Sequence, residues 1–172
     1  MAVEEHKRHA PKSVTCFVVT VSDTRDEATD QSGALIKELL AAARHTIRGY
    51  RIVKDEPEEI RGVLRDCFAD RELQAIIVNG GTGIAPRDRT YEIVSSLLDK
   101  RLDGFGELFR FLSFQEIGSP AMMSRAVGGV ARGKVIFSLP GSRAAVELAL
   151  RRLILPELGH LVQQVQGHES KN

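Results

Sequence analysis

The chain has 172 residues, a length that suits one compact domain with a single sizeable hydrophobic core. Its composition is 42% hydrophobic and 27% charged, with a formal net charge of +1, which matches a globular protein and gives no reason to expect a nucleic acid or a membrane as partner. The polar N-terminus lacks the apolar core of a signal peptide and no later apolar run reaches membrane-spanning length, so the sequence predicts a cytoplasmic protein.

The first predicted strand, VTCFVVTV, runs from Val14 to Val21 and is rich in β-branched residues, as expected of a strand buried on both faces. A polar loop follows, in which Asp30 or Ser32 is expected to cap a helix whose apolar residues recur from Ala34 to His45. Gly49 then precedes a second predicted strand, YRIVK.

Asp55 ends the second strand, and Pro57 fits the first turn of the next helix, PEEIRGVLRDCFADR. The third strand begins at Ile76 and runs into a glycine-rich turn, and two helical segments follow, YEIVSSLLDKR and the apolar-rich FGELFRFLSF. The stretch SRAVGGVARG is expected to be a connection of small residues that leads to a fourth strand, KVIFSL. The long closing helix contains Pro156, which predicts a kink or a break there.

Strands that alternate with helices at this rhythm predict an α/β domain in which a mostly parallel sheet lies between two layers of helices. We expect one domain from residue 14 to residue 166, with tails at residues 1–13 and 167–172. Ligands of such sheets bind in the crevice outside the carboxyl ends of the strands.

The unusual residues of this chain all fall at that predicted edge of the sheet. They are Ser22 and Asp23 after the first strand, Asp55 after the second, Asn79 to Gly83 after the third, and Pro140, Gly141 and Ser142 after the fourth. Four separated segments are therefore expected to converge on one site.

The turn Gly80-Gly81-Thr82-Gly83 suits an anion, because glycines allow positive φ and close approach, so that several N–H groups can point at one phosphate. Thr82 can add a hydroxyl donor. A tight connection between strand and helix would explain the same glycines. The turn lacks the G-x-G-x-x-G spacing, and Ile84 stands where a P-loop has lysine, so a Rossmann oxidoreductase and a P-loop ATPase are both disfavoured.

Asp55 and Asp88 are expected to approach the same edge, and paired carboxylates near a phosphate turn are what Mg²⁺-assisted phosphoryl or nucleotidyl transfer uses. A helix cap or a solvated loop charge would explain either residue equally simply. Arg87 is expected to balance Asp88, to contact phosphate or to form a surface ion pair. The helix start after Gly141 offers free N–H groups, although Ser142 there also fits a plain helix cap.

The segment FGELFRFLSF has apolar residues all around a short helix. One stripe of the helix carries Phe105, Leu108, Phe109 and Leu112, and two further rings, Phe111 and Phe114, lie off that stripe. Core packing accounts for one face of this helix, and a subunit interface accounts for the other. The sequence therefore predicts a homo-oligomer.

Taken together, the segments TVSDTR, DQSG, VKDE, NGGTGIAPRDRTYE, FGELFRFLSFQEIG, SRAVGGV and SLPGS, in this order and at this spacing, strongly resemble the MoaB/Mog family of molybdenum cofactor biosynthesis, and the MoaB branch most closely. The resemblance extends from about Val14 to the final helix. It implies a Rossmann-like molybdopterin-binding fold and assembly as trimers or hexamers. Arg89 and Tyr91 stand where the family commonly has a smaller apolar residue and proline.

The resemblance also implies an activity, the Mg²⁺-dependent joining of ATP and molybdopterin to give adenylyl-molybdopterin and pyrophosphate. By the resemblance, Asp55 and Asp88 hold Mg²⁺ or orient the reacting phosphate, and Gly80, Gly81, Thr82 and Gly83 cradle phosphate. The residues implied to line the nucleotide and pterin pocket are Ser22, Asp23, Gly141 and Ser142, and those implied to contact the phosphate of the pterin substrate are Ser124 and Arg125.

Two other functions fit the same residues. One is a noncatalytic molybdopterin-binding or carrier paralogue, which would bind the pterin tightly without releasing pyrophosphate. The other is a nucleotide-binding regulatory domain, which would bind ATP with no need for pterin.

Overall fold

The computed structural model describes residues 10–167 and is built on one six-stranded sheet in the order β2-β1-β3-β6-β5-β4. The strands are β1 (Thr15–Val21), β2 (Thr46–Val53), β3 (Ala75–Asn79), β4 (Lys100–Arg101), β5 (Val127–Ala131) and β6 (Lys134–Leu139). β2, β1, β3 and β6 are parallel, whereas β5 runs antiparallel to both β6 and β4. The outer parts of the predicted tails, residues 1–9 and 168–172, lie outside the described residues.

The helices are α1 (Gln31–Ala42), α2 (Pro57–Ala69), α3 (Thr90–Leu97), α4 (Asp103–Ile117), α5 (Arg143–Ala149) and α6 (Leu155–Gln166), with a short 3₁₀ helix at Ser119–Met123. One apolar cluster joins α1, α4, α5 and α6 to one face of the sheet, through residues such as Val18, Ile77 and Phe137. A second cluster joins α2 and α3 to the other face, through Val19 and Ile76. The predicted three-layer α/β fold with a mostly parallel sheet is therefore confirmed.

Local signals set the starts of several helices as predicted. Asp30 caps α1 by accepting a hydrogen bond from the N–H of Gly33, and Ser142 caps α5 by accepting one from the N–H of Ala145. Pro57 occupies the first turn of α2, where its missing N–H costs nothing. These caps fix where the loops at the carboxyl edge end.

The prediction that SRAVGGVARG is only a connection of small residues is wrong in part, because Val127–Ala131 forms β5. Gly128 faces the ring of Phe137, and a Cβ there would lie 2.6 Å from it; a Cβ on Gly129 would lie 2.2 Å from the carbonyl oxygen of Lys100. Close packing therefore requires glycine at these two positions, and because glycine is uncommon in strands, the sequence pattern does not indicate a strand here.

Two further details differ from the sequence prediction. Gly49 lies inside β2 rather than before it, beside a register shift at Cys16 and Phe17, and a Cβ at this position would clash with the ring of Phe17. The closing helix does not break at Pro156: a π-helical turn at Leu150–Ile154 precedes it, and the proline lies in the first turn of α6, where its missing N–H costs little.

In the part of the chain that the structure describes, no helix has both the length and the apolar character needed to cross a membrane.

Candidate functional site

A cavity of about 450 Å³ opens at the carboxyl ends of the parallel strands. Its lining comes from the loops after β1, β3 and β6 together with the 3₁₀ helix, and comprises Val21, Ser22, Thr24, Arg25, Gly80, Gly81, Thr82, Gly83, Asp88, Pro120, Met123, Ser124, Pro140 and Gly141. Most of the residues predicted for the site thus meet in one place, although Asp23, Asp55, Ser142 and Arg125 are not in the wall of the cavity.

The glycine turn after β3 has room for no side chain at its first two positions. Gly80 and Gly81 have φ of +96° and +63°. A Cβ on Gly80 would lie 2.2 Å from the carbonyl oxygen of Val21, and one on Gly81 would lie 2.1 Å from the hydroxyl oxygen of Thr90. Both the backbone angles and the close packing therefore require glycine here.

The same turn presents a run of free backbone donors. The N–H of Gly80 donates to Leu139 O at 3.0 Å, and the N–H of Ala85 donates to a carboxylate oxygen of Asp88 at 3.1 Å. Between them, the N–H groups of residues 81–84 donate to no acceptor in the described part of the chain. Successive free N–H groups in a glycine turn form a concave anion site.

Asp55 lies directly beneath this turn and is 8% exposed. A Cβ on Gly81 would lie 2.9 Å from Asp55 Oδ2, whereas Asp55 Oδ1 is buried without a hydrogen-bond partner. Burial raises the pKa of Asp55, and the nearby charges of Asp88 and Asp23 raise it further, against the lowering effect of the Arg89 N–H and of Arg87. The charged form of Asp55 therefore lowers the stability of the folded protein.

Asp88 lines the cavity itself. Its carboxylate accepts the N–H of Ala85 and lies against Gly83, where a Cβ would come within 2.4 Å of Asp88 Oδ2. The two acidic residues thus flank the glycine turn, Asp55 below it and Asp88 at the cavity wall.

Asp55 and Asp88 carry the carboxylate oxygens that Mg²⁺ prefers as ligands. Asp55 Oδ1 is a buried oxygen without a hydrogen-bond partner, and Asp88 lines the cavity. No group of three or more His, Cys, Asp or Glu side chains suited to a metal occurs within residues 10–167. One or two carboxylates plus substrate phosphates and water are the usual ligands of Mg²⁺, so a metal here would be bound together with a phosphate ligand.

Arg87 pairs with carboxylates other than Asp88. It donates two hydrogen bonds to Asp23, at 2.7 and 3.1 Å, and one to Glu56 at 2.9 Å. Asp23 also accepts the N–H of Asp55 at 3.1 Å, and the hydrogen bond from Arg87 lowers the pKa of Asp23. Of the interpretations that the sequence left open for Arg87, the exposed ion pair is the one observed, and it joins the loops after β1, β2 and β3.

Arg25 is a cation of the cavity wall that the sequence analysis missed. Its backbone N–H donates to Ser22 Oγ at 3.1 Å, and its guanidinium donates to Gly141 O at 3.1 Å, an oxygen that also accepts the hydroxyl of Ser32 at 2.8 Å. The signal was present in the letters SDTR, because an arginine directly after a strand-end turn reaches the same edge as the glycines. Arg25 thus places a guanidinium in the cavity wall, with the carboxylate of Asp30 behind it.

A buried hydrogen-bond network lies behind the wall formed by Arg25. The Asp30 carboxylate accepts the hydroxyl of Thr20 at 2.5 Å and that of Tyr50 at 2.6 Å, and Arg25 approaches it to 3.6 Å. Asn79 donates to Thr20 Oγ1 at 2.8 Å. Burial raises the pKa of Asp30, but the hydrogen bonds and Arg25 outweigh burial and the net pKa is lowered. Charged Asp30 therefore ties the ends of β1, β2 and β3 together.

Arg125 lies behind the glycine turn rather than in the cavity. Its Nε donates to Thr82 O at 2.9 Å and its Nη2 to Gly83 O at 2.6 Å, while Glu92 forms an ion pair with the same guanidinium. The guanidinium carbon lies 4.8 Å from the centre of the Tyr91 ring. Ser124, in contrast, does line the cavity. Contact of Ser124 or Arg125 with a substrate phosphate stays a prediction.

The fold and the cavity together define a class of protein. The chain is an open α/β protein with free N–H groups, a cation and two carboxylates outside the carboxyl ends of its strands, which is the edge where proteins of this class bind their ligands.

Comparison with known proteins identifies the family within this class. Residues 17–160 match the model described as "Probable molybdopterin binding domain". The chain is 54% identical over 166 residues to Molybdenum cofactor biosynthesis protein B of Halalkalibacterium halodurans, covering 96% of this chain and 98% of that protein. The chain therefore belongs to the MoaB/Mog family of molybdenum cofactor biosynthesis proteins, as its sequence motifs predict.

Solved structures agree with this assignment. A crystal structure of Molybdenum cofactor biosynthesis protein B is 52% identical and superposes with a TM-score of 0.89, covering 92% of this chain and 99% of that one. The tungsten cofactor synthesizing protein MoaB from Pyrococcus furiosus is 37% identical, with a TM-score of 0.82 over 91% of this chain and 99% of its own.

Proposed function

We propose that this protein transfers the adenylyl group of ATP to molybdopterin, in a Mg²⁺-dependent reaction that gives adenylyl-molybdopterin and pyrophosphate. An oxygen of the molybdopterin phosphate attacks the α-phosphorus of ATP, and the bond from that phosphorus to the pyrophosphate oxygen breaks. The observation that carries the proposal is the run of free N–H groups at residues 81–84 flanked by Asp55 and Asp88.

The residues of the cavity suit a reaction between two phosphate-bearing molecules. The two anions repel each other, so the site must offer donors and positive charge while it aligns the reacting atoms. The N–H groups of the glycine turn and the guanidinium of Arg25 supply the donors. Mg²⁺, held by Asp55 and Asp88 together with phosphate oxygens, would offset negative charge.

The remaining predicted residues shape the pocket. Ser22 and Gly141 lie on its wall, and Asp23 supports Asp55 from outside by accepting its N–H. Ser142 acts through the cap of α5 and so holds the Gly141 turn in place. We propose that ATP and molybdopterin share this cavity in the cytoplasm.

Replacing Asp88 with asparagine tests the proposal. The amide of the new side chain keeps an oxygen to accept the N–H of Ala85, so the turn is preserved while the negative charge is lost. With ATP, Mg²⁺ and molybdopterin, we expect pyrophosphate release to fall at least ~100-fold, and molybdopterin binding to persist. Asp103→Asn is the matched control, because its carboxylate lies on the surface beside Arg101. Near-wild-type turnover of Asp88→Asn would remove Asp88 from the mechanism.

One observation favours a second function, that of a noncatalytic molybdopterin-binding or carrier protein. Asp55 lies beneath the glycine turn and does not line the cavity. A metal ion bound by both Asp55 and Asp88 would therefore require the glycine turn to move. Tight binding of molybdopterin to the wild-type protein without any pyrophosphate release would support the carrier and contradict the transferase. ATP binding that needs no pterin would instead indicate a regulatory domain.

We also propose that the protein is a homo-oligomer, a trimer or a hexamer. An apolar surface lies on α4 and the 3₁₀ helix, where the large side chains that are at least half exposed are Leu108, Phe111, Phe114, Ile117, Met122 and Met123. Large apolar surface of this kind is characteristic of protein interfaces. Of the predicted stripe on this helix, Phe105 and Phe109 are buried and Leu112 packs against the core, whereas Leu108 is exposed and belongs to the apolar surface.

A further inference from the structure

Arg125 is positioned to control which way the peptide groups of the glycine turn face. Its guanidinium reaches two successive carbonyl oxygens, Thr82 O at 2.9 Å and Gly83 O at 2.6 Å. In a planar trans peptide the carbonyl and the next N–H point in opposite directions. When the carbonyls of Thr82 and Gly83 point at Arg125, the N–H groups of Gly83 and Ile84 must point away from it.

Those two N–H groups are among the four that donate to no acceptor in the described part of the chain. Arg125 is absent from the residues that line the cavity, whereas Gly81, Thr82 and Gly83 line it. The guanidinium therefore contacts the carbonyl oxygens of the turn without forming part of the cavity wall. A P-loop places a lysine on the ligand side of its glycines. In this protein the cation binds the carbonyl side.

The surroundings of Arg125 fix its orientation. Glu92 binds the guanidinium, and the hydrogen bond from Arg125 lowers the pKa of Glu92, so that Glu92 stays charged. The ring of Tyr91 lies 4.8 Å from the guanidinium carbon, a cation–π contact. Arginine offers a rigid planar set of donors that can bind two carbonyls and a carboxylate at once, and lysine cannot reproduce that geometry.

We propose that Arg125 is a positioning residue, which orients the Thr82–Gly83 and Gly83–Ile84 peptides so that their N–H groups face the phosphate of the bound ligand, with Glu92 and Tyr91 holding Arg125 in place. The proposal rests on the proposed function in one respect, the role of the turn as a phosphate cradle. It differs from the sequence-based expectation, in which Arg125 itself contacts a substrate phosphate.

Glu92→Gln separates the two roles by the sign of its effect. If Arg125 positions the turn, loss of the Glu92 charge loosens the guanidinium and weakens phosphate binding. If Arg125 is itself a phosphate ligand, loss of the competing carboxylate frees it and strengthens phosphate binding. Arg125→Lys gives a second distinction, because a direct ligand keeps its charge in this variant, whereas a positioning residue loses its two-carbonyl contact.

The experiment measures the binding of pyrophosphate, and of ATP with Mg²⁺, by calorimetry. We expect about tenfold weaker binding in Arg125→Lys, nearly as large a loss as in Arg125→Gln, and a smaller loss in Glu92→Gln, since a hydrogen bond that involves a charged group contributes roughly this factor. Arg151→Gln is the matched control, as Arg151 forms a surface ion pair with Glu147. Tighter binding in Glu92→Gln, or unchanged binding in Arg125→Lys, would overturn the proposal.

A crystal structure of Arg125→Lys keeps this inference distinct from the proposed function. Rotated peptide groups at Thr82 and Gly83 would support the positioning role even if the wild-type protein bound neither pyrophosphate nor ATP, which would refute the cradle instead. Unrotated peptides in a variant that folds with wild-type thermal stability would refute the positioning role and leave the proposed function standing.

Discussion

Removing the hydroxyl of Tyr50 tests how much the buried network at Asp30 contributes to stability. This hydroxyl donates to Asp30 Oδ2 at 2.6 Å, and the Asp30 side chain is fully buried. Burial raises the pKa of Tyr50, and the hydrogen bond to Asp30 raises it further, so the phenol remains a donor at neutral pH. Tyr50→Phe deletes one oxygen and leaves the ring in place.

The expected loss follows from the kind of hydrogen bond removed. A hydrogen bond to a charged acceptor contributes about 1.5–3 kcal/mol to the free energy of unfolding. For a chain of this size each kcal/mol corresponds to roughly 2–4 °C, so we expect Tm to fall by about 3–12 °C. Urea unfolding at pH 7.5 and at one protein concentration gives the free energy directly.

The chain offers a matched control, because Tyr91 is its only other tyrosine. Within the described residues the Tyr91 hydroxyl has no hydrogen-bond partner, so Tyr91→Phe is expected to change the free energy by no more than about 0.5 kcal/mol. A Tyr50→Phe loss as small as that of Tyr91→Phe would refute the reasoning, since it would mean that Tyr50 contributes nothing through Asp30.

The pH dependence of the Tyr50→Phe effect has a defined sign. The folded pKa of Asp30 is lowered, so the stability that its charge contributes is present above the unfolded pKa and is lost as the pH falls through the folded pKa. Tyr50→Phe removes part of that stabilisation. The difference between the two proteins is therefore expected to shrink in acid, and a difference that grows in acid would contradict the role of charged Asp30.

Two further predictions concern the site and the surface. Asp55→Asn is expected to raise Tm at pH 7.5, because it removes a buried charge with an unpartnered oxygen, and to abolish pyrophosphate release. The folded pKa of Asp55 is raised, so the gain in Tm should vanish as the pH falls through that pKa. A lower Tm of the variant at pH 7.5 would contradict the argument. Phe111→Glu is expected to give a smaller species in sedimentation velocity, and an unchanged sedimentation coefficient would exclude Phe111 from a subunit interface.

The sequence predicted the layers of this fold well and its antiparallel edge poorly. β1 and β3 are rich in β-branched residues, β6 has an apolar centre, and all three strands are largely buried, so their pattern is unambiguous. The pattern of β5 is ambiguous, because a side chain at Gly128 would clash with the ring of Phe137 and one at Gly129 would clash with the carbonyl oxygen of Lys100. Here packing between neighbours selects glycine against strand propensity, and no pattern within a single segment reveals it.

The position of the site was predictable for a similar reason, but the partners of its charges were not. Strand ends at a parallel sheet must meet at one edge, so Ser22, Gly80 and Gly141 could be placed together from their order in the chain. Loop geometry between segments far apart in sequence decides which carboxylate forms the ion pair with Arg87. It also decides which atoms of the glycine turn Arg125 binds. Those contacts were visible only in three dimensions.

The strand order has a consequence for when the site comes into being during synthesis. β3 lies between β1 and β6, and the N–H of Gly80 is held by Leu139 at the end of β6. A ribosome-bound chain that has been made as far as Asp88 contains β1, β2, β3, the glycine turn and both carboxylates, yet it lacks Leu139, which anchors the turn, and the Gly141 wall. Such long-range pairing forms late. The cavity therefore cannot be complete in the nascent chain before Gly141 has been made, because Gly141 forms part of its wall.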